Sequence, residues 1–162
     1  MTQLSLSRPG RRLSVGLVLV FGLGLAGCAP TAQTMGLSSG LTARMDQPGA
    51  QLDRAEALGI INQYRASLGV PPLTADAGLD AQAQQLAQAY ASSGNTPRRP
   101  DAVPAMRVSA GYANFAETFS GWRNSPADAQ VLADRASGRA GLGVAYNPNG
   151  AYGIHWILLL DR

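Results

Sequence analysis

Three side chains in the C-terminal half of the chain have the chemistry for acid–base work or metal ligation: Glu117, Asp128 and His155. Glu117 lies among Phe115, Phe119 and Trp122, and a carboxyl lodged among aromatic rings loses hydration, which raises its pKa toward the range useful for proton transfer. It is equally readable as a solvent-facing helix acid or as a partner of Arg107 or Arg123. Asp128 follows Ser125 and Pro126 at the spacing of a capping box, with serine as cap, proline opening the helix and the acid reaching back. His155 is the single histidine. It is either a base or ligand, or an imidazole hydrogen-bonded between a sheet and its covering helix. A serine hydrolase would have only His155 as its base, and two-carboxylate glycoside hydrolysis would need Glu117 and Asp128 about 5–9.5 Å apart. The chain has no HExxH and no glycine-rich phosphate loop after a strand. A zinc site wants three or four ligands held together. The inventory therefore leads us to expect no metal and no cofactor.

The remaining reactive residue is Cys28, the only cysteine. Arg8, Arg11 and Arg12 precede an uncharged stretch from Leu13 to Gly27, the order of a secretory leader. Fifteen residues are too few for comfortable bilayer passage, which needs about 20. The stretch ends in Leu25, Ala26, Gly27, Cys28, which resembles the lipobox of bacterial lipoproteins. That resemblance implies a leader at residues 1–27, cleavage before Cys28 and acylation of its thiol, with the membrane as partner through the attached lipid. Ala29 follows, where an aspartate would favour inner-membrane retention. The expected location is the outer membrane, facing the periplasm or the exterior.

Loss of the leader changes the charge balance. Three of the 13 arginines leave with it, so ten remain against ten acids, and a neutral chain lacks the basic patch that nucleic-acid binding requires. Acylated Cys28 leaves no disulfide, so packing alone must hold the fold. Residues 28–49 are rich in Ala, Thr, Ser, Gly, Gln and Pro and are expected to be a flexible tether. The globular domain is expected at residues 50–162, enough for one core.

Apolar spacing supplies the elements that must position the three candidates. Leu52, Leu58, Ile61, Tyr64 and Leu68 predict a first helix, closed by Gly69, Pro71 and Pro72. Leu79, Ala83, Leu86 and Tyr90 predict a second over 76–92. The proline-rich run 93–107 predicts an irregular loop. A third helix is expected over 113–122, and a fourth from Ser125 to about Ser137. Alternation then takes over: 141–146 and 152–160 predict a hairpin around Asn147, Pro148, Asn149 and Gly150. Tyr152, Ile154, Trp156, Leu158 and Leu160 face one way, Ile157 and Leu159 the other. Both faces need cover, so the expected fold is α+β, an α-β-α sandwich with a small antiparallel sheet between helical layers.

The runs LGIINQYRASLGVPPLTADAGLDAQAQQLA, GYANFAETFSGWRNSP and GLGVAYNPNGAYGIHWILLL together resemble the CAP superfamily (SCP-like, pathogenesis-related 1-like) in its short bacterial form. The resemblance implies the same sandwich, and a cleft that in many members holds two histidines and two glutamates. Here the segment that should carry the first histidine, SSGNTPRRPDAVPAMRV, has none. Met106 and Arg107 stand where a glutamate and an asparagine are expected, Glu117 matches the second glutamate, and Asp128 occupies the second histidine's place. With one cleft residue kept, the resemblance implies a non-catalytic domain that binds an envelope lipid, glycan or protein. Tyr112, Phe115, Phe119, Trp122, Tyr152 and Trp156 supply its aromatic surface. The alternatives are a hydrolase using Glu117 with Asp128 or His155, and a structural or assembly role without a small ligand.

Overall fold

The computed structural model describes residues 36–162; the leader and Cys28 lie outside the described residues. Five helices, α1 (Ser39–Thr42), α2 (Arg54–Ser67), α3 (Ala77–Ser93), α4 (Phe115–Asn124) and α5 (Pro126–Leu132), accompany four strands, β1 (Thr74–Ala75), β2 (Ala105–Ala110), β3 (Arg139–Tyr146) and β4 (Ile154–Asp161). The sheet order is β1-β3-β4-β2. The β3–β4 hairpin forms as predicted, with Val144 opposite Trp156 and Leu142 opposite Leu158. Two strands were not legible. Residues 105–107, expected to be loop, begin β2, which pairs antiparallel with β4; two-residue β1 pairs in parallel with β3.

Period-two alternation in β4 divides the core. Ile154, Trp156, Leu158 and Leu160 join Ala57 and Ile61 of α2 and Phe115, Phe119 and Trp122 of α4. Ile157 and Leu159 point the other way, onto Leu79, Ala83 and Ala87 of α3. The expected α-β-α sandwich is thus the observed one. On the α3 side Gly141 and Gly143 are required by close approach: a Cβ at either would stand 2.2 or 2.3 Å from the backbone of α3, so only glycine lets helix and strand meet.

Three helices start at side-chain caps, where Asp53, Asp76 and Asn114 accept backbone N–H bonds from Glu56, Leu79 and Glu117. The buried line of α2 differs from the predicted stripe. It runs Ala57, Ile61, Arg65, while Tyr64 is half-buried and Leu68 is exposed. Arg65 enters the core because its guanidinium finds four carbonyls: Pro71, Leu132, Asp134 and Ser137, at 2.7–3.1 Å.

The expected tether, residues 28–49, is corrected for its described part. Leu41 and Met45 are buried in the main core, the Met45 N–H donates to the Ala113 carbonyl at 2.8 Å, and the Ser38 hydroxyl donates to Glu56 at 2.7 Å. Two apolar side chains in a polar run leave no periodicity to detect, yet they suffice to fold residues 36–49 onto the domain.

Candidate functional site

Glu117 occupies the third position of α4, two residues after Phe115. Phe115, Phe119 and Trp122 turn inward, while Glu117 turns out and is exposed, so the expected immersion among the aromatics does not occur. Its carboxylate instead completes a reciprocal cap: Oε2 accepts the Ala113 N–H at 3.1 Å and Oε1 accepts from Asn114 Nδ2 at 2.9 Å, while Asn114 Oδ1 takes the Glu117 N–H. Those bonds, rather than Arg107 or Arg123, are its partners. Arg123 sits 6.0 Å from the Phe119 ring centroid.

Asp128 does not form the expected capping box, and Ser125 makes no side-chain cap. Ser125 serves two helices, its N–H closing α4 on the Gly121 carbonyl and its carbonyl receiving the Ala129 N–H. Asp128 is left free to face β2, where its Oδ1 lies 3.3 Å from Arg107 Nη1. Arg107 points to the α4–α5 side of β2, whereas Met106, the neighbour that the resemblance sets in a glutamate's place, packs among the α3-side residues. Arg107 Nε is buried with no hydrogen-bond partner.

His155 lies on the opposite face of the sheet from both carboxylates. It is 1% exposed, with its ring edge-on to Tyr90 at 4.4 Å between centroids. The expected satisfaction by hydrogen bonds is not met at Nδ1, which is buried and unpartnered. Burial lowers its pKa below the usual imidazole value, with the Gly153 backbone pulling weakly the other way.

A divalent cation does not fit this donor set. The carboxylate of Asp128 faces a fixed guanidinium, that of Glu117 caps a helix, and the sheet separates His155 from them. Among the described residues no group of three His, Cys, Asp or Glu is close enough to hold a metal ion. The concave feature nearest these residues is an open groove of about 500 Å³ along α4, lined by Tyr112, Glu117, Ser120, Gly121, Asn124 and Ser125.

Sequence reasoning passed over two features here. The Arg107–Asp128 pair joins positions 21 residues apart, which no local pattern signals. The spacing GxSxG occurs at Gly36–Gly40, but Ser38 precedes a four-residue helix and donates to Glu56. It lacks both the strand-to-helix elbow and the histidine that spacing requires.

The family model of the cysteine-rich secretory proteins (CAP) matches residues 58–160, and the chain belongs to that family. No curated protein sequence matches it. Among solved structures the chain is similar to MpPR-1i, at 18% identity and TM-score 0.57 over 69% of this chain and 91% of that one. It is also similar to an extracellular protein containing an SCP domain from Bacillus anthracis, at 12% identity and TM-score 0.55 over 67% of this chain and 40% of that one. These likenesses establish the shared fold. Among the described residues no helix is long and apolar enough to cross a membrane.

Proposed function

We propose that this chain is an outer-membrane lipoprotein, acylated at Cys28, whose CAP domain binds an envelope lipid, glycan or protein without transforming it. The observation that carries the non-catalytic part is the dispersal of the candidate residues. Glu117 is held in place by the α4 cap, Asp128 is paired with Arg107, and His155 is sealed against Tyr90 behind the sheet. General acid–base catalysis needs a base within hydrogen-bond reach of the proton it takes, and a buried imidazole on the far face offers none to a ligand on the α4 face. The lipobox-like Leu25–Cys28 run supports the anchor, since stable membrane attachment takes more than one acyl chain and lipoproteins supply several on this one cysteine.

Two measurements test the reading. Intact mass and detergent partition should show an acylated chain beginning at Cys28, and Cys28→Ser should yield uncleaved precursor or soluble material. A mature wild-type chain without acyl mass would sink the anchor. Incubation with isolated envelope lipids and glycans should release no product beyond a Glu117→Gln control. Turnover that this substitution abolishes would restore the hydrolase.

A further inference from the structure

Resting on the binding reading above, we propose that Tyr112 is the aromatic anchor of a site for a neutral oligosaccharide laid along the exposed face of α4. An exposed tyrosine ordinarily swings freely, but this one is held at several points. Gly111, at φ +90°, turns the chain out of β2 in a conformation that glycine adopts without strain. The carbonyl of Tyr112 accepts the indole N–H of fully buried Trp156 at 2.9 Å, and the next N–H, of Ala113, is taken by Glu117. The ring then rests on the bare Cα of Gly121: a Cβ there would stand 2.9 Å from the phenol oxygen and 3.1 Å from ring carbons. Its backbone is tied to the core and its ring seated on a helix, yet Tyr112 remains 39% exposed. An aromatic side chain ordered before binding loses less entropy when a ligand arrives, and tyrosine is enriched at binding hot spots.

The rest of the lining names the ligand class. Glu117, Ser120, Gly121 and Asn124 follow one another at intervals that keep them on one face of α4, over about 10 Å at 1.5 Å per residue, and Ser125 closes the helix end beside them. They offer hydroxyls, an amide and a carboxylate beside an aromatic face, and no cation. A sugar ring can stack its C–H face on Tyr112 while its hydroxyls donate to Glu117 and exchange bonds with Ser120 and Asn124. An anionic ligand would be repelled by the Glu117 carboxylate, and Arg44, whose charge reaches that carboxylate, is already paired with Asp46. An acyl chain would leave the polar lining unpaired, which is costly once water is excluded.

The test titrates the full-length protein, in a zwitterionic detergent, with chitotetraose and with maltotetraose, using saturation-transfer NMR for contact and calorimetry for affinity. At least one sugar should bind. Tyr112→Ala should weaken it about tenfold or more, the size of one lost aromatic contact, while Tyr112→Phe stays within about threefold of wild type because the ring remains. Gly121→Ala should reproduce the tyrosine loss, since the new methyl displaces the ring, and thermal midpoints of these surface variants should stay within a few degrees of wild type. Wild-type affinity retained in Tyr112→Ala or in Gly121→Ala, or no binding of either sugar, overturns the proposal. Tyr112-dependent binding of phospholipid vesicles or an envelope protein, without sugar binding, overturns the glycan class and leaves the binding reading standing. Shortened sugar in the mixture overturns the non-catalytic reading instead.

Discussion

Two arginines divide the molecule into a sealed region and an open one. Arg65, on α2, is wholly buried and places Nε, Nη1 and Nη2 on the carbonyls of Pro71, Leu132, Asp134 and Ser137, so one side chain ties the turn after α2 to the turn after α5. Burial disfavours its charge, and the Asp134 carboxylate counters that. Arg107, on β2, keeps its single ionic partner Asp128 at the rim and leaves Nε without a bond. A buried polar group costs free energy unless every donor is matched. Full satisfaction thus marks a structural clamp, whereas partial satisfaction at an accessible edge marks a place where the fold tolerates an unmet donor.

The largest effect should come from the clamp. Arg65→Ala takes the side-chain donor from four carbonyls, of which Asp134 keeps the Ser137 N–H, and each one left dry costs about 1–3 kcal/mol; allowing for water entry, a loss of at least about 3 kcal/mol in urea unfolding is expected. Arg65→Lys should recover only part, because an ammonium cannot reproduce the planar fork. A loss below about 1 kcal/mol for the alanine variant would erase the distinction between the two regions.

His155 is the second incompletely satisfied group, and pH is the way to read it. Its folded pKa is lowered, so the unfolded chain binds the proton more readily. Stability is therefore fully present above about pH 6.5 and falls as pH drops toward the folded value, by at most about 1.4 kcal/mol per pH unit. Asp134 is held below the ordinary carboxylate value by the Ala136 N–H and the Ser137 hydroxyl, and its contribution fades only in a separate, more acidic window. Denaturant midpoints followed from pH 7.5 to 5 should show the upper slope in wild type and lose it in His155→Phe. An unchanged slope would place the titrating group elsewhere.

The smallest effect belongs to the open side. Arg107→Met removes an orphaned donor and a half-exposed ion pair, and such pairs are worth about 0–1 kcal/mol, so the change should stay within about 1 kcal/mol in either direction. A loss comparable to that of Arg65→Ala would show that Arg107 is also a clamp.

By itself the sequence determined the layered fold around β4. Strict alternation from Ile154 to Leu160, in an apolar run, demands cover on both faces. The helices that provide it carry their own apolar spacing. Glu117's place on α4 was legible for the same reason, because helix periodicity is local. Its orientation was not, since facing the aromatic core or facing the cap depends on which side of α4 meets the sheet. Tertiary structure alone decided that Arg65 is core, that Asp128 leaves its own helix for Arg107, that Leu41 and Met45 fold back onto the domain, and that Tyr112 is locked on Gly121. Each of these depends on a partner outside the residue's own element, a carbonyl, a guanidinium, a bare Cα or an apolar core, and no spacing along one segment encodes it.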